Sequence, residues 1–503
     1  MQRSLRERRK LTLDIEIPGL DQQFIGGEWR ESASDDLVQI VMPSTGRVIA
    51  EASAPSPTDA DAAVVAARAA FDEGPWPRMS PTDRAEICAR WADELEARLD
   101  TLNRAWTFES GYPRAHGEAI NNRLAKKLWR RAIDLAPGLV WEEKRAQSAS
   151  RDVLIQHRPM GTVLGILSYN GPVLMLAVKI IPALLAGCTV IVKPAPESAL
   201  TARLIADAAL AAGFPRGVIS VLAAGQETSQ YLVRHQGLDM IHMTGGTSVA
   251  VEVVKNTADR LARTGLELGG KSAAILLDDA DLDEVLPTLV PGSIGSSAQV
   301  CIALSRILVP QHRHDEVADR LAAAFSTLRV GDPFDDSVHL GPLGNQRALA
   351  RTEKMLTRAV EQGAKVLVGG RRPADLPTHL GEGFYFEPTL LTQVDATMEI
   401  AQEEVFGPLI CLMTYRDIDD AIRIANGTKY GLAAAVYGKD EAVALDIANR
   451  LHAGAVAINQ SGVCLTEPFG GVKQSGWGRE GGAEGIFEFT QLTQVLLPIR
   501  SQR

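Results

Sequence analysis

Two short stretches of this chain carry residues that could do covalent chemistry. Cys301 ends the segment Ser-Ala-Gln-Val-Cys, and Glu267 opens the segment Glu-Leu-Gly-Gly-Lys. A cysteine is the best ready-made nucleophile among side chains once it is a thiolate. A glutamate within reach can act as a base for the thiol or for a water molecule. Each residue alone is more often structural, since a lone cysteine is usually a small buried hydrophobe, so the interpretation depends on what surrounds the pair.

Two other segments could seat a phosphorylated ligand, although each could also be a plain turn or strand end. Gly245, Gly246 and Thr247 lie between a predicted strand and a predicted helix. Backbone N–H groups and the positive end of a helix at such a turn can bind a pyrophosphate. Lys193 ends a buried strand, and open α/β sheets bind ligands beyond the carboxyl ends of their strands. Together these residues suggest a nucleotide site.

Three further segments complete the set of candidates. Asn170 follows a strand, where its amide could donate to a developing oxyanion or simply form a turn. Glu404 and Phe406 stand before a Gly-Pro break, where the carboxylate could accept from a ribose and the ring could flank a flat cofactor. Residues 468–480 are unusually rich in glycine, so that backbone must pack closely against something or adopt positive φ repeatedly.

The elements that must position these residues alternate between strand and helix. Residues 163–167 and 189–192 are continuous apolar runs, typical of strands buried on both faces. Repeated strand–helix units over 162–277, resumed after Cys301, predict an α/β fold with a parallel, twisted sheet. The polar stretch 138–157 predicts an extended arm, and the β-prone tail 488–499 must pair with that arm or with a partner chain. Other predicted elements include a hairpin at 24–29 and helices at 56–71, 81–103 and 117–136.

Bulk properties exclude several classes of protein. The chain has 503 residues, enough for about two to four domains. Its net charge of −10 argues against nucleic acid as the main partner, and no apolar run is long enough to span a membrane. The basic segment 1–10 precedes no apolar stretch and is read as a solvated arm rather than a signal peptide. Five scattered cysteines favour a reducing cytoplasm over a disulfide framework, and no metal site is predicted.

Taken jointly and in order, these segments resemble the aldehyde dehydrogenase superfamily on its hydrolytic side, over nearly the whole chain. The shared motifs are Tyr-Asn-x-Pro, Lys-Pro-Ala, the glycine-rich turn, Glu-Leu-Gly-Gly-Lys, Gln-x-Cys, Glu-Glu-Val-Phe-Gly-Pro and Pro-Phe-Gly-Gly-x-Lys-x-Ser-Gly. The resemblance implies NAD(P)-dependent oxidation of a small-molecule aldehyde to an acid. Cys301 would be the nucleophile, Asn170 and the Cys301 N–H would hold the oxyanion, and Glu267 would activate the water that hydrolyses the thioester. Lys179 and Glu480 would relay protons.

The resemblance also implies a cofactor site and a domain plan. The cofactor residues would be Lys193, Tyr169, Gly245, Gly246, Thr247, Leu268, Glu404 and Phe406. The plan would be a flexible N-terminal arm (1–20), a Rossmann-like dinucleotide-binding domain (21–137 and 158–267), an α/β catalytic domain (268–484) and a β oligomerisation arm (138–157 and 485–503). We expect a homodimer or homotetramer in the cytoplasm, with no nucleic acid and no membrane as partner.

Departures from the family pattern bear on cofactor and substrate. Pro196 stands where an acid often binds the ribose and disfavours a 2′-phosphate, so NADP stays possible while NAD is favoured. Gly171 and Val178 replace tunnel residues that are often aromatic, which predicts a wider, apolar tunnel for bulky or hydrophobic aldehydes. Smaller departures are Tyr169 for Trp, Gly246 for Ser, Ala250 for Gly and Ala298 for Gly.

Two other functions remain open at this point. A CoA-acylating dehydrogenase would pass the acyl group to CoA, but Glu267 argues against it because thiolysis needs no water-activating base there. A non-catalytic binding protein could keep the fold, but it would have no need of Cys301, Glu267 and Asn170 together.

Overall fold

Two large sheets form the framework of the protein, for which the computed structural model describes residues 15–148 and 151–498. The strands, in chain order, are β1 (Gln22–Ile25), β2 (Glu28–Glu31), β3 (Leu37–Met42), β4 (Arg47–Ser53), β5 (Glu142–Ser148), β6 (Arg151–Pro159), β7 (Thr162–Ile166), β8 (Thr189–Lys193), β9 (Ile219–Val221), β10 (Met240–Thr244), β11 (Arg263–Glu267), β12 (Ala273–Leu276), β13 (Arg306–Pro310), β14 (Lys365–Val368), β15 (Thr389–Thr392), β16 (Leu409–Tyr415), β17 (Ala433–Tyr437), β18 (Ala455–Ile458), β19 (Gly476–Trp477) and β20 (Thr490–Leu496).

Helices connect and cover these strands. The α-helices are α1 (Pro57–Asp72), α2 (Pro81–Ala97), α3 (Leu99–Ser110), α4 (Arg114–Gly117), α5 (Lys126–Leu135), α6 (Pro172–Met175), α7 (Ile181–Leu185), α8 (Ala199–Ala212), α9 (Gln226–Arg234), α10 (Thr247–Thr257), α11 (Leu282–Ile294), α12 (His314–Ser326), α13 (Gln346–Glu361), α14 (Glu399–Gln402), α15 (Ile418–Asn426), α16 (Glu441–Arg450) and α17 (Gly482–Phe487). Two π-helical segments, Glu118–Ala125 and Leu176–Ile180, lie within longer helical stretches. No helix in the described ranges is long and apolar enough to cross a bilayer.

The first sheet carries the predicted nucleotide-binding strands. Its order is β19-β11-β10-β7-β8-β9-β1-β2, and neighbouring strands from β7 to β11 are parallel. Every residue of β8 is buried, as its continuous apolar run predicted. The α/β fold class is therefore confirmed, and the predicted hairpin is β1–β2.

The second sheet has the order β14-β15-β16-β13-β12-β17-β18, and only β14 is antiparallel to its neighbour. Apolar clusters cover both of its faces. The chain passes from the first sheet to the second between Glu267 and Ala273, close to the candidate base. The glycine-rich segment returns afterwards, since its strand β19 pairs with β11 of the first sheet.

Helix starts follow the sequence more closely than helix ends. The side chain of Ser56 accepts from the Asp59 N–H, and Asp59 accepts from the Ser56 N–H, which is the predicted capping box of α1. The single helix predicted over 81–103 is wrong, because the chain breaks at Arg98 into α2 and α3. The Arg98 side chain there bonds Glu94 and, at 3.1 Å, Asp207 of α8.

A small separate sheet forms the predicted arm. Its order is β20-β6-β5, both pairings are antiparallel, and Thr490 of β20 pairs with Pro159. The C-terminal tail therefore pairs with the arm of its own chain, which the sequence had left undecided. Residue 499 of the predicted tail strand lies outside the described residues, as does the basic segment 1–10.

The predicted flexible arm over 1–20 includes a few described residues that contact the folded chain. Ile17 is buried, and the Arg203 guanidinium donates to the Gly19 carbonyl at 3.1 Å. These contacts anchor the chain to α8 before β1 begins. Residues 1–14 lie outside the described part of the chain.

Candidate active site

Cys301 lies in the loop between α11 and β13, after an unusual turn. Ser296, Ser297 and Ala298 have φ of 56°, 54° and 54°, a left-handed conformation that costs L-residues roughly 1–2 kcal/mol each. The Ser297 hydroxyl donates to the Gly341 carbonyl at 2.8 Å, which helps to hold the turn. The cysteine that follows is partly exposed, whereas the three turn residues are buried. Strain of this kind persists only where the surroundings fix it, and it concentrates at functional sites.

Gln299 holds the nucleophile loop from inside. Its side-chain oxygen accepts from the Gly344 N–H at 2.8 Å and from the Tyr169 hydroxyl at 3.1 Å. Its backbone carbonyl accepts from the Tyr112 hydroxyl at 3.0 Å and from the Asn170 amide at 3.1 Å. Because all of these partners are neutral, the position of the loop two residues before Cys301 does not depend on a charge.

Asn170 is oriented by a bond on each side of its amide. The Ser168 hydroxyl donates to Oδ1, and Nδ2 donates to the Gln299 carbonyl. This pattern places the NH₂ group toward the nucleophile loop and leaves its second N–H for another acceptor. The direct contact of Asn170 is thus with the Cys301 loop, not with the sulfur.

Glu267 ends β11 as a buried acid. Among the described residues neither carboxylate oxygen has a hydrogen-bond partner. A Cβ on Gly470 would come 2.7 Å from Oε1, so the glycine-rich segment covers this carboxylate closely, as its composition predicted. Burial and the charge of Glu480 raise the pKa of Glu267 well above its ordinary value, while Lys179 and Arg479 oppose that rise.

Lys179 and Glu480 form a buried ion pair beside this acid. Lys179 lies in the π-helical segment 176–180, and Glu480 follows β19. Burial raises the pKa of Glu480, and Lys179 opposes the rise. The Lys179 ammonium also lies 3.0 Å from Nδ1 of His242, a residue of β10.

Three carboxylates act on the thiol. Burial is the main cause that raises the pKa of Cys301 to about 12, and Glu404, Glu267 and Glu480 raise it further. The structure therefore brings Cys301, Glu267 and Glu480 into one electrostatic neighbourhood. Burial, with these charges added, keeps the thiol protonated in the protein alone, so it needs a base or a nearby cation to become a nucleophile.

Glu404 and Phe406 line one cavity together with Val300, the residue before Cys301. The Gly270 N–H donates to the Glu404 carboxylate at 3.1 Å, and burial raises the pKa of that carboxylate to about 7. Any Cβ at Gly269 would collide with the Glu404 carboxylate, which explains the glycine there. The Phe406 ring meets the Tyr169 ring edge-on, with centroids 6.1 Å apart.

Four of the residues predicted to hold the dinucleotide lie at the carboxyl ends of β8 and β10. Lys193 ends β8, where burial lowers the pKa of its ammonium to about 8. Gly246 is the N-cap of α10 and offers no side chain, so the N–H groups of the first turn can face a phosphate. The Gly245 N–H donates to the Glu267 carbonyl at 3.1 Å, and the Thr247 hydroxyl to the Gln474 carbonyl at 3.2 Å. These two donors are engaged within the protein, which leaves Lys193 and the helix end as the better phosphate and ribose ligands.

Leu268 follows Glu267 and is buried, and its N–H donates to the Ser475 carbonyl at 3.0 Å. This bond ties the end of β11 to the glycine-rich segment. The donor set therefore fits a dinucleotide lying across the strand ends toward Cys301.

Sequence reasoning missed three residues of the site. In the sequence, Gln299 stands out only as part of the Gln-x-Cys motif, and nothing marks Tyr112 or His242 as residues of the site. A glutamine two positions before a candidate nucleophile was the available signal for Gln299. Nothing in the sequence indicated that Tyr112, 187 positions away, would reach its carbonyl.

Comparisons with known proteins agree with this geometry. The chain is 37% identical over 477 residues to a geranial dehydrogenase of Castellaniella defragrans, covering 94% of this chain and 98% of that protein. A Mycobacterium tuberculosis aldehyde dehydrogenase complexed with NAD⁺ superposes with a TM-score of 0.91 at 37% identity, over 96% of this chain and 99% of that one. A point mutant of Staphylococcus aureus betaine aldehyde dehydrogenase, in complex with NAD⁺, gives 0.93 at 32% identity, over 97% and 99%.

The family model for the aldehyde dehydrogenase family matches residues 29–495. The predicted resemblance and the predicted enzyme class, a nicotinamide-dependent oxidoreductase that converts aldehydes to acids, are thus confirmed. This chain belongs to the aldehyde dehydrogenase family.

Proposed function

We propose that the enzyme oxidises bulky, hydrophobic aldehydes with NAD, through a thioester on Cys301 that water hydrolyses. The observation that carries the chemistry is the partly exposed Cys301 thiol, with Asn170 oriented toward its loop and the buried acid Glu267 within electrostatic reach. The residues divide the work between forming the thioester and hydrolysing it.

In the first half, the Cys301 thiolate adds to the aldehyde carbon. The free Asn170 N–H and the Cys301 N–H stabilise the resulting oxyanion. When bound, NAD would supply the hydride acceptor, and its positive charge would favour loss of the Cys301 thiol proton to solvent. Loss of hydride oxidises the carbon by two electrons and leaves the acyl group on sulfur. Glu404 and Phe406 would hold the ribose and the ring on the nicotinamide side.

In the second half, Glu267 takes a proton from water while the oxygen adds to the thioester carbon. The carbon–sulfur bond then breaks and returns the Cys301 thiolate with the carboxylic acid. The raised pKa of Glu267 makes this carboxylate a stronger base than an ordinary carboxylate. Glu480 and Lys179 would carry the proton away from it.

The substrate class follows from space next to Asn170. A Cβ on Gly171 would meet only Leu174, at 3.7 and 3.9 Å, so the backbone here has room for the first atom of a side chain that this sequence omits. Val178 contributes less to this argument, because it is buried in the core beside Lys179. Similarity to a geranial dehydrogenase supports a hydrophobic aldehyde as substrate.

The cofactor preference follows from the loop after Lys193. Pro196 removes the acid often found there, but the neighbouring Glu197 carboxylate lies 2.9 Å from Arg347 and 3.4 Å from the Asn345 amide. The Glu197 charge also acts on Lys193, the predicted ribose ligand, and an acid there would disfavour a 2′-phosphate. The NAD⁺ complexes of two similar structures support the same choice.

The test is a panel of acetaldehyde, hexanal, benzaldehyde and geranial with NAD and with NADP, with product analysis in the presence and absence of CoA. We expect the highest kcat/KM for the bulky aldehydes with NAD, and free acid as the product. Gly171→Phe should reduce kcat/KM for geranial by about tenfold or more and leave acetaldehyde nearly unchanged, since one misfit group is worth about 1–3 kcal/mol. Gly138→Phe, on an exposed turn, is the matched control. A preference for acetaldehyde in the unmodified enzyme would reject the substrate class.

Assembly and compartment belong to the same proposal. Leu492 and Leu496 on the outer strand β20 are 66% and 57% exposed, which favours pairing of this arm in a homodimer or homotetramer. Five free cysteines favour a reducing compartment, the cytoplasm. The domain bounds stay a prediction, supported by the change of sheet between Glu267 and Ala273. Light scattering of the purified protein would measure the assembly.

A further inference from the structure

His242 is a buried histidine in the middle of the first sheet, and it touches the predicted proton-relay pair. Its side chain is 1% exposed on β10, the strand between β7 and β11. Nδ1 lies 3.0 Å from the Lys179 ammonium and 3.9 Å from the Glu480 carboxylate. The imidazole is therefore the third member of a buried cluster that the proposed mechanism uses only in part.

The chemistry of the two partners fixes the state of the ring. An ammonium can only donate, so Nδ1 accepts and the proton of the neutral ring is on Nε2. Burial, and next Lys179, lower the pKa of His242 well below its ordinary value, which keeps the ring neutral. Nε2 has no hydrogen-bond partner among the described residues, so the contact with Lys179 is the polar bond that this ring makes.

The sheet provides a space shaped for this ring. His242 is flanked in register by Gly165 on β7 and by Gly265 on β11. Any Cβ at Gly265 would collide with the imidazole, so a larger residue there would displace the ring. The centroid of the Phe489 ring lies 5.0 Å from that of the imidazole, so the two rings pack together. A close-fitting pocket of this kind holds the acceptor nitrogen at one place relative to Lys179.

We propose that His242 is a positioning residue that holds the Lys179 ammonium against Glu480 and thereby sets the pH at which the Glu267 side of the site accepts protons. This inference rests on the proposed role of Glu267 in thioester hydrolysis. The charged and titratable groups around the cluster are Lys179, Glu480, Glu267 and Arg479, with Glu488 and Cys301 beyond them. Of these, Glu480 depends most directly on Lys179 for its ionised form.

The sign of the effect follows from that dependence. Without the histidine acceptor, the Lys179 ammonium is less well held, so Glu480 becomes harder to ionise. Glu480 must be ionised to take a proton from Glu267. The acid limb of the deacylation rate should therefore move to higher pH.

The experiment compares His242→Leu, which fills the space without an acceptor, with His242→Asn, whose Oδ1 can lie close to the Nδ1 position. Acid release from preformed acyl-enzyme is followed by rapid quench as a function of pH, beside the amplitude of the first NADH burst. His242→Leu should shift the acid limb upward by about one pH unit, the size expected when a hydrogen bond to a charged group is lost. His242→Asn should show little of this shift, and the burst amplitude should stay unchanged in both variants.

Equal behaviour of the two variants, or no shift in His242→Leu, would overturn the inference. Thermal melts identify a variant that fails to fold. If His242→Leu fails to fold, Gly265→Ala takes its place, because it displaces the imidazole without removing it. Gly265→Ala should then give the same upward shift of the acid limb. Failure of the proposed function is a separate result, because it would show as normal turnover in Glu267→Gln whatever the His242 variants do.

Discussion

The two sides of the active site are built from opposite kinds of interaction. On the nucleophile side, Tyr112, Tyr169 and Asn170 hold Gln299 and its loop through neutral hydrogen bonds. On the base side, Glu267, Glu480 and Lys179 are buried charges whose state depends on one another. The nucleophile side should thus keep its geometry at any moderate pH, whereas the base side should respond to pH. One side of the site therefore positions the nucleophile loop, and the other side holds the groups proposed to transfer protons.

The largest effect expected is loss of the nucleophile. Cys301→Ala should lower kcat/KM for every aldehyde by at least about 10⁴-fold, since the remaining groups can only bind and polarise the carbonyl. Steady-state NADH formation measures it. Cys464→Ala is the matched control, because that thiol is exposed and should leave the rate unchanged. Comparable rates in the two variants would remove the sulfur from the chemistry.

Loss of the base should separate the two half-reactions. Glu267→Gln should keep one burst of NADH and then turn over about 10²–10³-fold more slowly, the usual contribution of a positioned general base. Stopped-flow absorbance resolves the two phases. Glu252→Gln, at an exposed position, is the control. In the unmodified enzyme, Glu267 and Glu480 must both be ionised for deacylation, so kcat should be lost as pH falls through their raised pKa values. The acid limb should therefore lie well above the ordinary range of a carboxylic acid. An acid limb near pH 4 would contradict the assignment.

Disturbing the nucleophile side should change the rate but not its pH dependence. Gln299→Ala removes the side-chain acceptor for Gly344 and Tyr169, and it should lower kcat/KM by about 10²-fold through misplacement of Cys301. Tyr112→Phe, which deletes one donor to the same residue, should cost only about two- to tenfold. Full pH–rate profiles test the comparison. A shift of the acid limb in either variant would show that the two sides are not independent.

The smallest effect expected concerns the cofactor. Pro196→Glu places an acid beside the ribose site and should raise the preference for NAD over NADP by about tenfold through repulsion of the 2′-phosphate. The ratio of kcat/KM for the two cofactors measures this change. Glu197→Gln should move the ratio in the opposite direction. No change in either variant would place this loop away from the ribose.

Local sequence patterns predicted many of the strands and helices. They did not predict which distant segments pair with one another. The buried apolar runs at β7 and β8 gave the parallel sheet, and Ser56 with Asp59 gave the start of α1. The pairing of β19 with β11 was not predicted, because a two-residue strand carries no periodic signal. The partner of β20 was left open for a related reason, since an edge pairs equally well with its own arm or with another chain.

At the site, the candidate reacting residues could be named from motifs, but the residues that hold them in place could not. Cys301, Glu267 and Asn170 stand in short, distinctive segments. Gln299 is held by residues 130 and 187 positions away, and His242 meets Lys179 across 63 positions. Such contacts depend on strand order and register, which a single sequence does not specify. The left-handed turn before Cys301 was likewise unforeseen, because Ser and Ala seldom adopt that conformation.

The most direct measurement is the mass of the intact Glu267→Gln enzyme after it is mixed with NAD and a bulky aldehyde and quenched in acid. We predict an added acyl group on most molecules, located to Cys301 by peptide mapping, and its absence when NAD is omitted or when Cys301 is replaced by Ala. An unmodified Cys301 in a variant that still makes one equivalent of NADH would contradict the account.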